Sequence, residues 1–156
     1  MVDNKAGGIK TVGSTFDITN TIIARNGLGT DSGGVEFGGV RLGALPDGSG
    51  PPRFANNTVV DNMFIGISCQ LPYDVSTNIF YRNVGGGAFG CMTAAECCGS
   101  MNPDPKLDAS YHLMTGSPCI DKLGETGNML VGDIDGQTRP WPAGGKLDCG
   151  ADEFTP

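Results

Sequence analysis

Short apolar, β-branched runs separated by glycine and asparagine turns dominate the first 92 residues. One kind of run ends at an asparagine and occurs three times, at 18–26, 55–62 and 75–83. A second kind places an apolar residue directly after a small one, at Gly8-Ile9, Gly34-Val35, Gly66-Ile67 and Ala88-Phe89. Runs this short, bounded by turn residues, predict strands, and their strict alternation predicts an internal repeat.

The repeat length indicates how the units stack. The spacing is 26 residues from Ile9 to Val35, 32 from Val35 to Ile67 and 22 from Ile67 to Phe89. The longest interval contains a glycine- and proline-rich insertion at 43–52. A strand–turn unit of about 22 residues cannot bury its apolar face alone, whereas units stacked at ~4.8 Å can.

We therefore predict an all-β protein, a short parallel β-helix of about four coils. Residues 1–92 form the coils, and residues 93–156 form an irregular capping segment of the same domain that covers the open end of the stack. Thr93–Glu96 resembles a capping box and predicts one helical turn. A β-sandwich is the alternative, disfavoured because Asn26-Gly27 is the one Asn-Gly hairpin signal.

Equivalent positions in the repeat predict rows of stacked side chains. The interior rows are Ile9, Val35, Ile67 and Phe89, and Ile22, Val59 and Ile79. Asparagine tolerates left-handed backbone and can bond a neighbouring coil, so turn positions are predicted for Asn26, Asn62 and Asn83. Cys69 and Cys91 each follow a row residue by two positions, one coil apart, which predicts a disulfide. Pairing of Cys91 with Cys97 or Cys98 is the competing arrangement.

Composition narrows the classes of function. The 26 glycines among 156 residues exclude a helical bundle, and the net charge of −7 argues against a nucleic-acid partner. No apolar run reaches the ~18 residues of a membrane span. Six cysteines predict disulfides and an oxidising compartment. Because no apolar leader follows Met1, we expect either a removed signal or a piece of a longer protein.

The C-terminal third carries an ordered series of short motifs. They are Asp104-Pro105, Tyr111–Leu113, Gly116–Asp121, Asp133–Gly136, Arg139-Pro140 and Asp148–Glu153. With the Asn-Asn-Thr-Val-Val-Asp-Asn repeat, this order resembles the right-handed parallel β-helix proteins of the pectate-lyase-like superfamily. The tail is similar to the C-terminal part of choice-of-anchor Q domain proteins, which are large secreted bacterial proteins.

That resemblance implies a right-handed helix and an extracellular or cell-surface setting in a bacterium, and it implies no established reaction. Cys119 and Cys149 stand where such tails carry small or aliphatic residues. Their joint departure from the family pattern implies that they form a disulfide within the cap.

The candidate binding residues are Asp61, Arg25, Arg82 and Trp141. Polysaccharide-cleaving β-helix enzymes need a carboxylate pair, or calcium-binding aspartates with a basic residue as the base. Asp61 has no acidic counterpart in the neighbouring coils, so a solvated row of mixed charge is the better interpretation. Trp141 lies between two prolines and is either a sugar-stacking platform or an aromatic packed on the cap.

The candidate metal ligands are Asp133 and Asp135, whose Asp-Ile-Asp-Gly sequence resembles the start of a calcium loop. The twelfth position of such a loop is Gly144 rather than an acidic residue. The alternative is that these aspartates brace a turn and pair with Arg139. His112, the single histidine, is predicted to be structural.

These observations predict a non-catalytic extracellular scaffold that contacts carbohydrate or another cell-surface partner. The alternatives are a truncated or degenerate polysaccharide lyase or glycoside hydrolase, and a small mobile-gene product that forms an oligomer. Calcium is the one candidate cofactor. The first coil, around Ile9, has no cap before it, so we expect a homo-oligomer through its exposed strand edge.

Overall fold

The computed structural model describes residues 1–27, 37–92, 97, 104–124 and 132–156. All regular secondary structure in these residues is β-strand. The nine strands are β1 (Ile9–Thr11), β2 (Asp17–Thr19), β3 (Ile22–Ala24), β4 (Val40–Leu42), β5 (Arg53–Ala55), β6 (Thr58–Val60), β7 (Ile67–Cys69), β8 (Ile79–Tyr81) and β9 (Ala88–Phe89). Val35 and the helical turn predicted at Thr93–Glu96 lie outside the described residues.

The nine strands form three sheets, and β1 to β6 pass through the three sheets twice in the same order. The strand orders are β1-β4-β7-β9, β2-β5 and β3-β6-β8, and every strand pair is parallel. The insertion predicted at 43–52 separates β4 from β5 and contains no strand. The protein is therefore all-β with short parallel strands, an arrangement consistent with a parallel β-helix rather than an antiparallel sandwich.

The first predicted row is correct for Ile9 and Ile67 and shifted at two positions. Val40 pairs with Ile9 on one side and with Ile67 on the other, the place predicted for Val35. Gly-Gly-Val occurs twice within a few residues, and the sequence does not distinguish the two copies. At the other end, Ala88 pairs with Ile67, so Phe89 faces the opposite side and is 67% exposed.

The second predicted interior row is correct for Val59 and wrong for Ile22 and Ile79, which lie on the opposite face of their strands. Ile22 aligns with Thr58 and Ile79, whereas Val59 aligns with Ile23 and Phe80. Val59 and its two row partners are buried in the interior core together with Val40 and Ile67. The strands are apolar at consecutive positions, so the pattern alone does not show which side faces inward.

The three predicted turn asparagines stack in successive coils. Asn62 Oδ1 accepts hydrogen bonds from the backbone N–H and the side-chain amide of Asn26, both at 3.0 Å. Asn62 Nδ2 donates to Asn83 Oδ1 at 2.8 Å and to the carbonyl of Ile23 at 3.1 Å. Bonding between neighbouring coils is thus confirmed. The left-handed backbone lies one residue earlier, at Arg25, Asp61 and Arg82.

The described part of the C-terminal segment covers the side of the stack, whereas the sequence predicted a cover over its end. Ala24, Val60 and Ile79 point away from the interior and form a second core with residues of this segment. The segment's buried members of that core are Cys97, Tyr111, Leu113, Cys119 and Cys149. A parallel strand that is apolar on both faces must be covered on both, which accounts for the lateral position.

Hydrogen bonds from Arg139 and Ala151 help to attach this segment to the coils, and a buried ion pair within the segment holds Arg139 in place. Arg139 Nε donates to Glu153 Oε2 at 3.0 Å, and both side chains are fully buried. Arg139 Nη1 also donates to Asn20 Oδ1 at 3.1 Å, and the N–H of Ala151 donates to Thr58 Oγ1 at 3.0 Å. These bonds satisfy the buried guanidinium and fix the register between segment and sheet.

One of the two predicted disulfides is correct. Cys69 and Cys91 are bonded across adjacent coils, with their Cα atoms 5.1 Å apart. The predicted Cys119–Cys149 bridge is wrong, because Cys149 is bonded to Cys97, with a Cα–Cα distance of 5.7 Å. Cys119 does lie beside Cys149, whose N–H donates to the Cys119 carbonyl at 3.1 Å, and Cys119 is also disulfide-bonded.

The described residues contain no helix that is long and apolar enough to span a membrane.

Candidate functional site

A groove of about 430 Å³ opens between the first coil and the C-terminal segment. One wall comes from the coil and the other from the segment, and residues from the N-terminus complete the lining. The lining residues are Met1, Val2, Asn20, Thr21, Ile22, Arg25, Ala109, Ser110, Tyr111 and Ile134. Both polar and apolar side chains line this concave surface, so it offers hydrogen-bonding groups beside apolar contact area.

Arg25 and Tyr111 join the two walls of the groove. Arg25 follows β3 with a left-handed backbone (φ 54°), and its Nη1 donates to the Tyr111 hydroxyl at 2.7 Å. Its Nε and Nη2 donate to the two carboxylate oxygens of Asp3, each at 2.8 Å. The hydrogen bonds from Asp3 and Tyr111 raise the pKa of Arg25, and the same contact lowers the pKa of Asp3. The guanidinium is therefore held in one orientation at the groove.

Arg25 belongs to a row of alternating charge that runs along the stack. Asp3, Arg25, Asp61 and Arg82 each follow a strand or bridge at an equivalent turn, with φ between 50° and 59°. Arg82 donates to both oxygens of Asp61, at 2.6 and 2.7 Å, and this hydrogen bonding raises the pKa of Arg82. The predicted row of mixed charge is confirmed. Asp61 faces an arginine here, and the row contains no adjacent carboxylate pair.

A second cluster of polar side chains lies in the C-terminal segment. His112 Nε2 is 3.0 Å from Asp135 Oδ2, and Asp152 completes the group. Ligand atoms of the three residues lie within 4.8 Å of one another. We call these three residues the His112 cluster. The members of the cluster come from three separate turns, and because no local spacing connects them, the sequence does not predict the cluster.

Asp135 belongs to this cluster, whereas the predicted partner Asp133 does not. Asp133 Oδ1 accepts the N–H groups of Asp135 and Gln137, at 2.9 and 2.8 Å, and Oδ2 accepts the N–H of Glu153 at 3.1 Å. Both oxygens are engaged in bracing a turn, as the alternative interpretation proposed. The ion pair expected with Arg139 is formed by Glu153 instead.

Two carboxyl groups, those of Asp148 and Asp152, are buried within the C-terminal segment. Burial raises the pKa of Asp148 to about 6, although the N–H groups of Asp121 and Phe154 each donate to it at 2.7 Å. Burial also raises the pKa of Asp152, whose Oδ2 accepts the N–H of Leu113 at 2.6 Å. In both cases removal from water outweighs the hydrogen bonds that favour the charged form.

Trp141 is half-exposed, and its backbone N–H donates to Glu153 Oε1 at 2.8 Å. It is not part of the groove lining. Among the four predicted binding residues, the structure thus brings Arg25 to the groove, pairs Asp61 with Arg82 along the charged row, and leaves Trp141 on a separate surface.

No protein-family model, curated protein or solved structure matches this chain.

Proposed function

We propose that this chain is a non-catalytic, extracellular β-helix module that binds a neutral glycan in the groove. The observation that carries this proposal is the mixed lining of the groove. Arg25 and Tyr111 form a hydrogen-bonded polar pair there. Apolar lining lies beside this pair, from Val2, Ile22 and Ile134. A sugar ring presents hydroxyl groups at its rim and C–H groups on its faces, so it needs both kinds of contact. The disulfides support an oxidising location.

The finer architecture is part of the same proposal. We infer a right-handed helix of about four coils, of the kind seen in the pectate-lyase-like superfamily and in choice-of-anchor Q domain proteins of bacterial surfaces. The four strands of the first sheet support the number of coils. Parallel crossovers are right-handed in nearly all known cases, which supports the handedness.

Charge favours a neutral glycan over an acidic one. Arg25 is already neutralised by both oxygens of Asp3, and the whole chain carries a net charge of −7. A polyanionic sugar would therefore meet net repulsion, whereas a hydroxyl group can accept from the fixed guanidinium or donate to the Tyr111 oxygen.

A glycan array with the wild type and two matched arginine variants tests this proposal. Arg25→Gln removes a charged donor at the groove and should weaken binding about 10-fold or more. Arg82→Gln changes the same kind of ion pair outside the groove lining and should leave the affinity unchanged. Circular dichroism verifies that both variants are folded.

A reducing-sugar assay on the glycans that bind separates this function from the enzymatic alternative. We expect binding without release of reducing ends. Release by the wild type would instead support a degenerate lyase or hydrolase. Equal loss of binding in the Arg25 and Arg82 variants would contradict the groove as the site.

Association of two copies through the first coil is a second candidate property. β1 is the terminal strand of its sheet, and Val12, directly after it, is 71% exposed. Unpaired strand edges beside apolar residues favour strand addition by a second chain. Light scattering over a concentration series should show dimers that Val12→Lys suppresses, and a wild type that stays monomeric throughout would contradict this.

A further inference from the structure

The His112 cluster has the dimensions of a small metal site. Its three ligand atoms lie within 4.8 Å of one another. Zinc binds histidine nitrogen and aspartate oxygen at ~2.0–2.2 Å, so two ligands of a tetrahedral ion are ~3.3–3.6 Å apart. Closing the widest separation by about 1 Å would therefore place all three atoms on one ion. Side-chain rotation of the exposed Asp135 can supply that movement.

The imidazole of His112 is oriented for coordination. Its Nε2 atom is shielded from solvent and makes no hydrogen bond to the described residues, although Asp135 Oδ2 is 3.0 Å away. On the other side of the ring, Asp108 Oδ1 lies 3.7 Å from Nδ1. A carboxylate beside the second ring nitrogen is the usual outer partner of a metal-bound histidine, because it fixes the ring orientation.

The carboxylates of the cluster leave an excess of negative charge. Asp152 is buried, and its carboxylate lies in the same cluster as the carboxylate of Asp135. The N–H of Leu113 holds Asp152 Oδ2, which leaves the other oxygen available as a ligand. A dication at the centre would offset the repulsion between the carboxylates.

From this geometry we propose that His112, Asp135 and Asp152 bind a divalent transition-metal ion of the zinc type. An imidazole ligand favours Zn²⁺ and related ions, whereas Ca²⁺ requires six to eight oxygen ligands. Three protein ligands leave a position for water, as in many zinc sites. Tyr111 and Ile134 precede two of the ligands in sequence and line the groove, so the bound ion fixes the segment's wall of the groove.

Calorimetric titration of untagged, chelator-treated protein with Zn²⁺ tests the site. The wild type should bind one ion. Asp135→Asn and His112→Gln should each lower the affinity about 10-fold or more, and Asp108→Asn by a similar factor through loss of ring orientation. Asp47→Asn, which removes an exposed carboxylate from the loop after β4, should leave the affinity unchanged.

The single histidine makes a second readout unambiguous. The imidazole NMR signals should shift on addition of one equivalent of Zn²⁺ in the wild type and in Arg25→Gln, so the result is independent of glycan binding. The proposal is overturned if no saturable binding is seen, if binding persists in both His112→Gln and Asp135→Asn, or if Ca²⁺ binds more tightly than Zn²⁺.

Discussion

Single buried amides hold successive coils in register. Asn62 receives two hydrogen bonds from Asn26 and donates two more, to Asn83 and to the carbonyl of Ile23. The side chain is completely buried, so no water replaces a partner that is lost. Asn4 extends the same row by donating to Asn26 Oδ1 at 2.8 Å, in a partly exposed position.

Asn62→Ala should therefore cost far more stability than Asn4→Ala. Loss of the Asn62 amide leaves the N–H of Asn26 and the carbonyl of Ile23 buried without partners, and we expect about 3 kcal/mol less unfolding free energy. The expected loss for Asn4→Ala is about 1 kcal/mol, because water can reach that position. Urea denaturation of the two variants measures both values. Equal losses would contradict the role of the buried asparagine row in holding the coils together.

Asp148 should make the protein less stable as the pH rises. Burial raises its pKa in the folded state from 3.8 to about 6. Between these values the folded chain binds more protons than the unfolded chain, so the contribution of this group is largest below about pH 4 and declines up to about pH 6.

Urea denaturation at several pH values compares the wild type with Asp148→Asn. The wild type should lose stability relative to the variant as the pH rises through this range. Asp47→Asn, at an exposed position, provides the control. Parallel stability curves for wild type and Asp148→Asn would show that the buried carboxyl does not titrate as proposed.

At the scale of elements, glycines allow the coils to approach each other before each strand of the first sheet. A Cβ at Gly39 would lie 2.2 Å from the carbonyl oxygen of Gly66 and 2.8 Å from Val59 Cγ1. Gly8 and Gly66 are similarly confined by the next coil and by a row asparagine. The alternation of glycine and apolar residue in the sequence thus reflects this close backbone contact.

Gly39→Ala should separate two coils locally and lower the unfolding free energy by about 3 kcal/mol. Gly50→Ala is the matched control, because a Cβ at that position has no neighbour within 4 Å. Its effect should stay within about 0.5 kcal/mol. Thermal denaturation followed by circular dichroism compares the two, and a neutral Gly39→Ala would mean that the coils tolerate a wider spacing.

At the scale of the whole molecule, one disulfide connects two coils and another closes a loop within the covering segment. Cys69–Cys91 closes a loop of 22 residues between adjacent coils, and Cys97–Cys149 spans 52 residues. The hydrogen bond from Arg139 to Asn20 and the second core attach the segment to the coils without a covalent bond. The stack and its lateral cover are therefore joined by several independent contacts.

The double variant Cys69→Ser/Cys91→Ser should lower the unfolding free energy by about 3 kcal/mol, because the unfolded chain regains the entropy of a 22-residue loop. Denaturation of the oxidised proteins measures this difference. Non-reducing peptide mapping of the wild type should recover the peptide that contains Cys149 linked to the peptide that contains Cys97. Recovery of Cys149 as a free, alkylated thiol from protein never exposed to reductant would contradict that connectivity.

The repeat alone determined the strand class, the parallel stacking and the position of the turn asparagines. Those features depend on local spacing, because a one-coil repeat places equivalent residues beside each other. The same logic identified Cys69–Cys91 and the charged row that contains Arg25, Asp61 and Arg82. In each case the partners occupy the same place in neighbouring coils, so their contact follows from sequence distance.

Only the tertiary structure decided the features that depend on which face of each strand points to the interior and which face is covered by the C-terminal segment. These features are the choice between Val35 and Val40, the outward positions of Ile22 and Ile79, and the lateral placement of the C-terminal segment. The Cys97–Cys149 bridge and the His112 cluster join turns that no repeat relates. Such contacts between non-repeating loops are set by packing across the molecule, and a one-dimensional pattern contains no signal for them.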